Sequence, residues 1–127
     1  MPHKLRIHLA DDYADILRGL KRILEREGFA VETFENGEDL MLALTEAGHQ
    51  VPCDIVVTDN DMPLMTGVEA LAAIRADPKL RRLPVIVFTG NDTVAGRVKE
   101  LGGIYAEKGS VAPLLDILAS LKRRLVA

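Results

Sequence analysis

Asp54-Ile55-Val56-Val57-Thr58-Asp59 is a short apolar run that stops on a carboxylate, and its reading decides the fold. Its apolar residues follow one another with no polar alternation, as in a strand of a parallel sheet covered on both faces. Pro84-Val85-Ile86-Val87-Phe88 has the same character and runs into Thr89. Leu5-Arg6-Ile7-His8-Leu9-Ala10 runs into Asp11-Asp12, and Ile104-Tyr105-Ala106-Glu107 runs into Lys108. Parallel strands all point the same way, so these polar endings meet at one edge, and open α/β sheets bind their ligands at that carboxyl edge.

Between the strands the apolar period changes. Ile16, Leu17, Leu20, Ile23 and Leu24 recur on one helical face that Gly28 ends. Ala30-Val31-Glu32-Thr33-Phe34 reads as a second, short strand, and Asn36-Gly37 opens a helix through Leu40, Met41 and Leu44 to Gly48. Met62-Pro63 breaks the backbone after Asp59; Thr66-Gly67-Val68-Glu69 then has capping-box form and starts a helix through Leu71 and Ile74 that stops before Pro78. Val94, Val98 and Leu101 mark a short fourth helix, with Gly96 inside it and Gly102-Gly103 ending it. Ser110 is placed to cap a last helix whose buried stripe is Val111, Leu114, Leu115, Leu118, Leu121 and Leu125. Strand and helix alternate through the whole chain, which predicts one doubly wound α/β domain over residues 1–127, with right-handed crossovers and helices on both faces of a five-stranded parallel sheet.

A chain of 127 residues, 48% hydrophobic and 28% charged, suits one globular domain with one modest core. A net charge of −3 argues against a nucleic-acid-binding surface, which favours a basic domain. No apolar run approaches the roughly 20 residues that cross a bilayer. Met1-Pro2-His3-Lys4 leads straight into a strand and leaves no room for a signal peptide, so the expected location is the cytoplasm. Cys53, the single cysteine, sits beside Pro52 at the start of a strand and reads as a small packing residue. His3, His8 and His49 lack metal-ligand spacing and read as structural or solvent-facing. Lys122-Arg123-Arg124 reads as the complement of the last helix's macrodipole.

The chemistry lies at the carboxyl edge. Asp11, Asp12 and Asp59 brought together repel one another unless a cation sits among them. Mg2+ suits such a place, because it takes a few carboxylates, keeps waters and bridges to phosphate oxygens. A carboxylate can also attack phosphorus and form an aspartyl phosphate, with the metal neutralising charge on the phosphoryl oxygens. Lys108 adds a positive charge on a flexible arm, and Thr89 a hydroxyl donor. Each piece alone is common; their order, each at a strand end, carries the reading.

Ala10-Asp11-Asp12-Tyr13, Thr58-Asp59-Asn60-Asp61-Met62-Pro63 with Gly67, Phe88-Thr89-Gly90 and Tyr105-Ala106-Glu107-Lys108 resemble the receiver domain of bacterial two-component response regulators, across essentially the whole chain. The resemblance implies a flavodoxin-like (βα)5 fold with strand order 2-1-3-4-5. It implies that Asp59 accepts a phosphoryl group from a phosphohistidine on a sensor histidine kinase or a histidine phosphotransfer protein. Asp12 and Asp59 would bind Mg2+ directly, joined by the backbone carbonyl of Asp61, with Asp11 reaching it through water. Lys108 would pair with Asp59 and then with the phosphoryl group. Thr89 would move to hydrogen-bond that group, and Tyr105 would swing inward as the coupled aromatic. Asp61 and Asn91, two residues after Asp59 and Thr89, would tune dephosphorylation. Such a domain is a phosphoacceptor rather than an enzyme, with intrinsic autodephosphorylation only, and it serves as a relay intermediate or as an effector on a downstream protein target.

Two departures from the family's pattern stand out. Gly109 follows Lys108 where family members commonly carry Pro, so the loop is freer and the lysine less preorganised. The interval from Thr89 to Lys108 is also shorter than usual, and the shortfall falls on the fourth helix. A Mg2+-dependent phosphatase with an aspartyl-phosphate intermediate is the alternative. It wants a second general acid near the nucleophile, a place Asp61 occupies, but also a substrate-capping segment that the chain lacks. A flavin module of the same fold is set aside, because Asp11-Asp12-Tyr13-Ala14-Asp15 puts acids where a flavin phosphate would bind. The start at Met1 and the ending after a fifth helix favour a stand-alone receiver over an excised domain.

Overall fold

The computed structural model describes residues 4–126, so the expectations for Met1, Pro2 and His3 lie outside the described residues. The chain alternates β1 (Arg6–Ala10), α1 (Ala14–Arg26), β2 (Ala30–Phe34), α2 (Gly37–Thr45), β3 (Ile55–Thr58), α3 (Gly67–Ala76), β4 (Val85–Thr89), α4 (Ala95–Glu100), β5 (Ile104–Glu107) and α5 (Ala112–Leu125). A single 3-10 turn, Asp92–Val94, leads into α4. All strand pairings are parallel and the order is β2-β1-β3-β4-β5, as the motifs implied.

Every residue of β3 and β4 is buried, which is why their sequences do not alternate. One core lies between the sheet and α1 with α5, where Leu17, Leu20, Leu24, Leu114 and Leu118 meet Ile7, Leu9, Ile55 and Ile86. The other lies beneath α2, α3 and α4, where Leu40, Leu44, Leu71, Ile74 and Val98 meet Val56, Val85 and Val87. The register aligns the strand ends, pairing Ala10 with Thr58 and Thr89 with Glu107. The residues that follow them therefore emerge side by side.

Local chemistry sets the helix ends. Thr66 and Glu69 form the expected capping box, and Asn36 accepts the Asp39 N–H at 2.7 Å to cap α2. α2 stops at Thr45 rather than reaching Gly48. Gly48 sits at φ +68, and Lys79 Nζ closes the end by donating to the Leu44 and Gly48 carbonyls at 2.9 and 2.8 Å. Ser110 does not occupy the N-cap of α5. That place belongs to Val111, Ser110 Oγ accepts from Ala112 N–H at 3.3 Å, and Pro113 inside the first turn supplies the preset φ. The α5 stripe also ends a turn early: Leu121 is buried, but Leu125 is 44% exposed and outside the core cluster. On α1, Ile16 is 40% exposed because Leu17, Leu20 and Leu24 hold the centre of the buried face. The short α4 is fastened at its C-terminal end by Arg75 of α3. Its guanidinium donates to the Leu101, Gly102 and Leu83 carbonyls at 2.8, 2.9 and 2.8 Å.

Cys53 is buried, and burial pushes its thiol up to about 12. His49 is exposed, whereas His8 is a core residue of β1, 3% exposed, with its ring tilted against Phe34 at 4.9 Å. Burial holds the His8 imidazole below its ordinary value of 6.5; Glu32, 3.8 Å away, opposes that shift, and Arg6 adds to it. The unfolded chain therefore binds more protons than the fold as pH drops below that value, so this residue's share of stability is intact above it and lost below it. Urea midpoints at about pH 7.5 and about pH 5.5 test this: the fall on acidification shrinks in His8→Val, whereas an equal fall in both proteins contradicts it.

Candidate phosphoacceptor site

Asp59 leaves β3 directly beside the end of β1, because its N–H donates to the Ala10 carbonyl at 2.9 Å. Asp11 and Asp59 are buried, at 2% and 8% exposure, while Asp12 is exposed. One carboxylate oxygen from each of Asp11, Asp12 and Asp59 lies within 4.8 Å of the others. Lys108 arrives from the far side of the sheet. Its backbone N–H donates to the Thr89 carbonyl at 3.0 Å, which carries the β4–β5 ladder one residue past the strand and aims the side chain inward.

The Lys108 ammonium lies between two acids. It hydrogen-bonds Asp11 Oδ2 and stands 3.5 Å from Asp59 Oδ2. The motif reading paired it with Asp59; the structure adds Asp11 as the tighter partner. Asp11 is the more deeply buried acid and has the greater need of a counter-charge. Its other oxygen accepts from Tyr13 N–H at 3.0 Å. Asp59 is likewise divided: Oδ1 accepts from Asn60 N–H at 2.7 Å, which leaves Oδ2 facing the ammonium. Asp12 makes no ion pair among the described residues, so three carboxylates share one ammonium. An all-oxygen donor set with one open side fits a hard divalent cation.

The remaining residues line the same edge. Thr89 is 1% exposed, and its Oγ1 accepts from Asn91 N–H at 3.2 Å. Tyr105 pairs with Val87 in the ladder and shares Thr89's face of the sheet. It is half-buried, and its hydroxyl, which makes no hydrogen bond among the described residues, is raised above its ordinary value by desolvation, with Glu107 and Asp92 adding to the effect. Asp61 is exposed, and its Oδ1 accepts from Asn91 Nδ2 at 3.2 Å, so these two positions touch rather than merely flank the site. A Cβ at Gly109 would meet nothing within 4 Å, which leaves the loop after Lys108 open.

Two residues were not singled out from the sequence for what they do here. A Cβ at Gly67 would stand 2.3 Å from the Asp59 carbonyl oxygen, so only glycine lets α3 approach the site this closely. Asn60 is 5% exposed and hydrogen-bonded on every polar group of its side chain, while in the sequence it looks like any loop asparagine.

The family described as the response regulator receiver domain matches residues 7–104. The chain is 34% identical over 85 residues to the chemotaxis protein CheY of Pseudomonas aeruginosa, covering 67% of this chain and 66% of that protein. It is 35% identical over 121 residues to the chemotaxis protein CheV2 of Helicobacter pylori, covering 94% of this chain but 38% of that protein. It thus spans less than two thirds of the length of these curated relatives. Among solved structures it resembles the response regulator TrrA of Thermotoga maritima in complex with Mg2+-BeF, with 25% identity, a TM-score of 0.79, and coverage of 94% of this chain and 99% of that one. With fold and family match in agreement, the chain belongs to the response regulator receiver domain family.

Proposed function

We propose that this domain is a phosphorylation-dependent signalling switch that accepts a phosphoryl group from a phosphohistidine onto Asp59. The observation that carries the reading is the Lys108 ammonium held between Asp11 and Asp59, with Asp12 within 4.8 Å of both acids. Asp59 Oδ2 is the nucleophile, since Oδ1 is occupied by the Asn60 N–H. As the oxygen–phosphorus bond forms, the phosphorus–nitrogen bond to the donor imidazole breaks and the imidazole leaves. Asp12, Asp59 and the Asp61 carbonyl, helped by Asp11, would hold a Mg2+ ion, which when bound would neutralise charge on the phosphoryl oxygens. Lys108 follows the charge from the carboxylate to the phosphoryl group.

Thr89 reads the new group. Its hydroxyl now accepts from Asn91 and, donating to no group among the described residues, can turn its proton toward a phosphoryl oxygen. Movement of Thr89 vacates space on the face it shares with Tyr105, whose unpartnered hydroxyl has no bond to give up when the ring turns inward. The response is a population shift, limited by how much better the phosphorylated site fits the second arrangement. The donor is a sensor histidine kinase or a histidine phosphotransfer protein in the cytoplasm, and the reader is a downstream protein. The phosphoryl group leaves by the domain's own hydrolysis, with Asp61 and Asn91 beside the path of water.

Acetyl phosphate with Mg2+ will phosphorylate the wild-type protein, and phosphate-affinity gels will show no shifted band for Asp59→Asn or for wild type in chelator; equal shift in the mutant places the acceptor elsewhere. Titration of Mg2+ by tyrosine fluorescence will show Asp12→Ala weakening binding more than Asp11→Ala. Asp12 has no other partner among the described residues, whereas both Asp11 oxygens are committed to Tyr13 and Lys108. The reverse order would exchange the two roles.

A further inference from the structure

Asn60 follows the phosphoacceptor and is buried, yet it is polar. Besides the N–H it gives to Asp59 Oδ1, its backbone carbonyl and side chain satisfy three further groups. The Asn60 carbonyl accepts the Gly67 N–H at 2.9 Å, and its Oδ1 accepts the Val68 N–H at 3.0 Å. With the Glu69 N–H on Thr66 Oγ1, the first three N–H groups of α3 are all satisfied, two of them by Asn60. Its Nδ2 donates to Asp61 Oδ1 at 3.0 Å. The same Asp61 oxygen accepts from Asn91 Nδ2 at 3.2 Å, Asn91 Oδ1 accepts from Thr93 N–H at 3.2 Å, and Asn91 N–H donates to Thr89 Oγ1 at 3.2 Å. Hydrogen bonds thus run without a gap from the start of α3, through Asn60, Asp61 and Asn91, to the loop after β4.

We infer that Asn60 is a positioning residue for phosphoryl chemistry at Asp59: its side-chain amide anchors a polar strap, through Asp61 and Asn91, that holds the loop after β4 and with it Thr89. The inference rests on the phosphoacceptor reading. Only an amide of this length serves both ends. The Val68 N–H requires an acceptor and the Asp61 carboxylate requires a donor, so an aspartate would set carboxylate against carboxylate, and a leucine would leave a buried N–H without a partner. The strap begins at the residue whose N–H holds Asp59 Oδ1 and ends at the loop that carries Thr89, and Thr89 cannot move without drawing on the Asn91 N–H. Cutting the strap at Asn60 frees residues 90–94 and opens the acyl phosphate to water.

The test is a swap of polarity. Wild type, Asn60→Asp, Asp61→Asn and the double variant are phosphorylated with acetyl phosphate and Mg2+, the donor is removed, and both phosphoryl loss and amide exchange of residues 91–94 are followed. Asn60→Asp should lose its phosphoryl group about fivefold faster, the factor one hydrogen bond is worth, with faster exchange in that loop. The double variant rebuilds the strap in reverse, since a carboxylate at 60 accepts from both Val68 and the amide now at 61, whose oxygen accepts from Asn91. Loop exchange should return toward wild type and phosphoryl loss toward the rate of Asp61→Asn alone, since Asp61 also lies beside the path of water; a general loss of stability would allow neither. Wild-type behaviour in Asn60→Asp, or a double variant that only sums the single effects, overturns the inference. If Asn60→Asp does not fold, Asn91→Ala cuts the strap at its far end without touching α3, and unchanged phosphoryl loss there is equally fatal. A wild-type protein that takes no phosphoryl group overturns the phosphoacceptor reading instead, while loop exchange still decides the strap.

Discussion

The structure depends on one ammonium. Lys108 enters a buried place already occupied by Asp11 and Asp59, and without its charge those carboxylates would face each other with little water to screen them. Everything that sets Lys108 in position is backbone. The Thr89 carbonyl receives its N–H, the Thr89–Glu107 pairing fixes where β5 ends, and the Ala10–Thr58 pairing brings the two acids level. A one-residue slip in either register would turn the lysine or an acid to the opposite face of the sheet. The two apolar cores are therefore what hold the polar edge in register, and the site inherits its geometry from their packing.

The site is rigid on one side and adjustable on the other. Gly67 lets α3 sit directly against the Asp59 carbonyl, and Asn60 fills the N–H groups of that helix's first turn. Opposite, the loop after β4 is held by side-chain contacts between Asn91, Asp61 and Thr89, each worth about 1 kcal/mol and within reach of a phosphoryl group's competing acceptors. Arg75 of α3 fastens the C-terminal end of α4 by donating to the Leu101 and Gly102 carbonyls, and it also holds the Leu83 carbonyl before β4.

The strands were legible because uninterrupted apolar runs mark buried parallel strands; their order came from the resemblance of the motifs, and the candidate site from four of the five strands running into Asp11, Asp59, Thr89 and Lys108. The Thr66 and Glu69 cap and the Asn36 cap were legible for a similar reason: a local pattern and its local partner lie within one turn. What escaped depends on distance in sequence. Leu125 fits the apolar period of α5, but the period cannot say where the core beneath the helix stops. His8 is one of several scattered histidines until β2 brings Glu32 and Phe34 beside it. Lys108 binding Asp11 more closely than Asp59 follows from relative burial, which only the packed sheet decides. Asn60 carries no signal of its own, since its role comes from the N–H groups of α3 and the carboxylate of its neighbour.

The most direct measurement is amide hydrogen exchange with and without a beryllofluoride mimic of the phosphoryl group in Mg2+. If Asp59 drives Thr89 and Tyr105 as argued, the changes fall mainly across residues 89–108 and disappear in Thr89→Ala while the mimic still binds. Changes confined to α1 and α2, or a full response in Thr89→Ala, would contradict it.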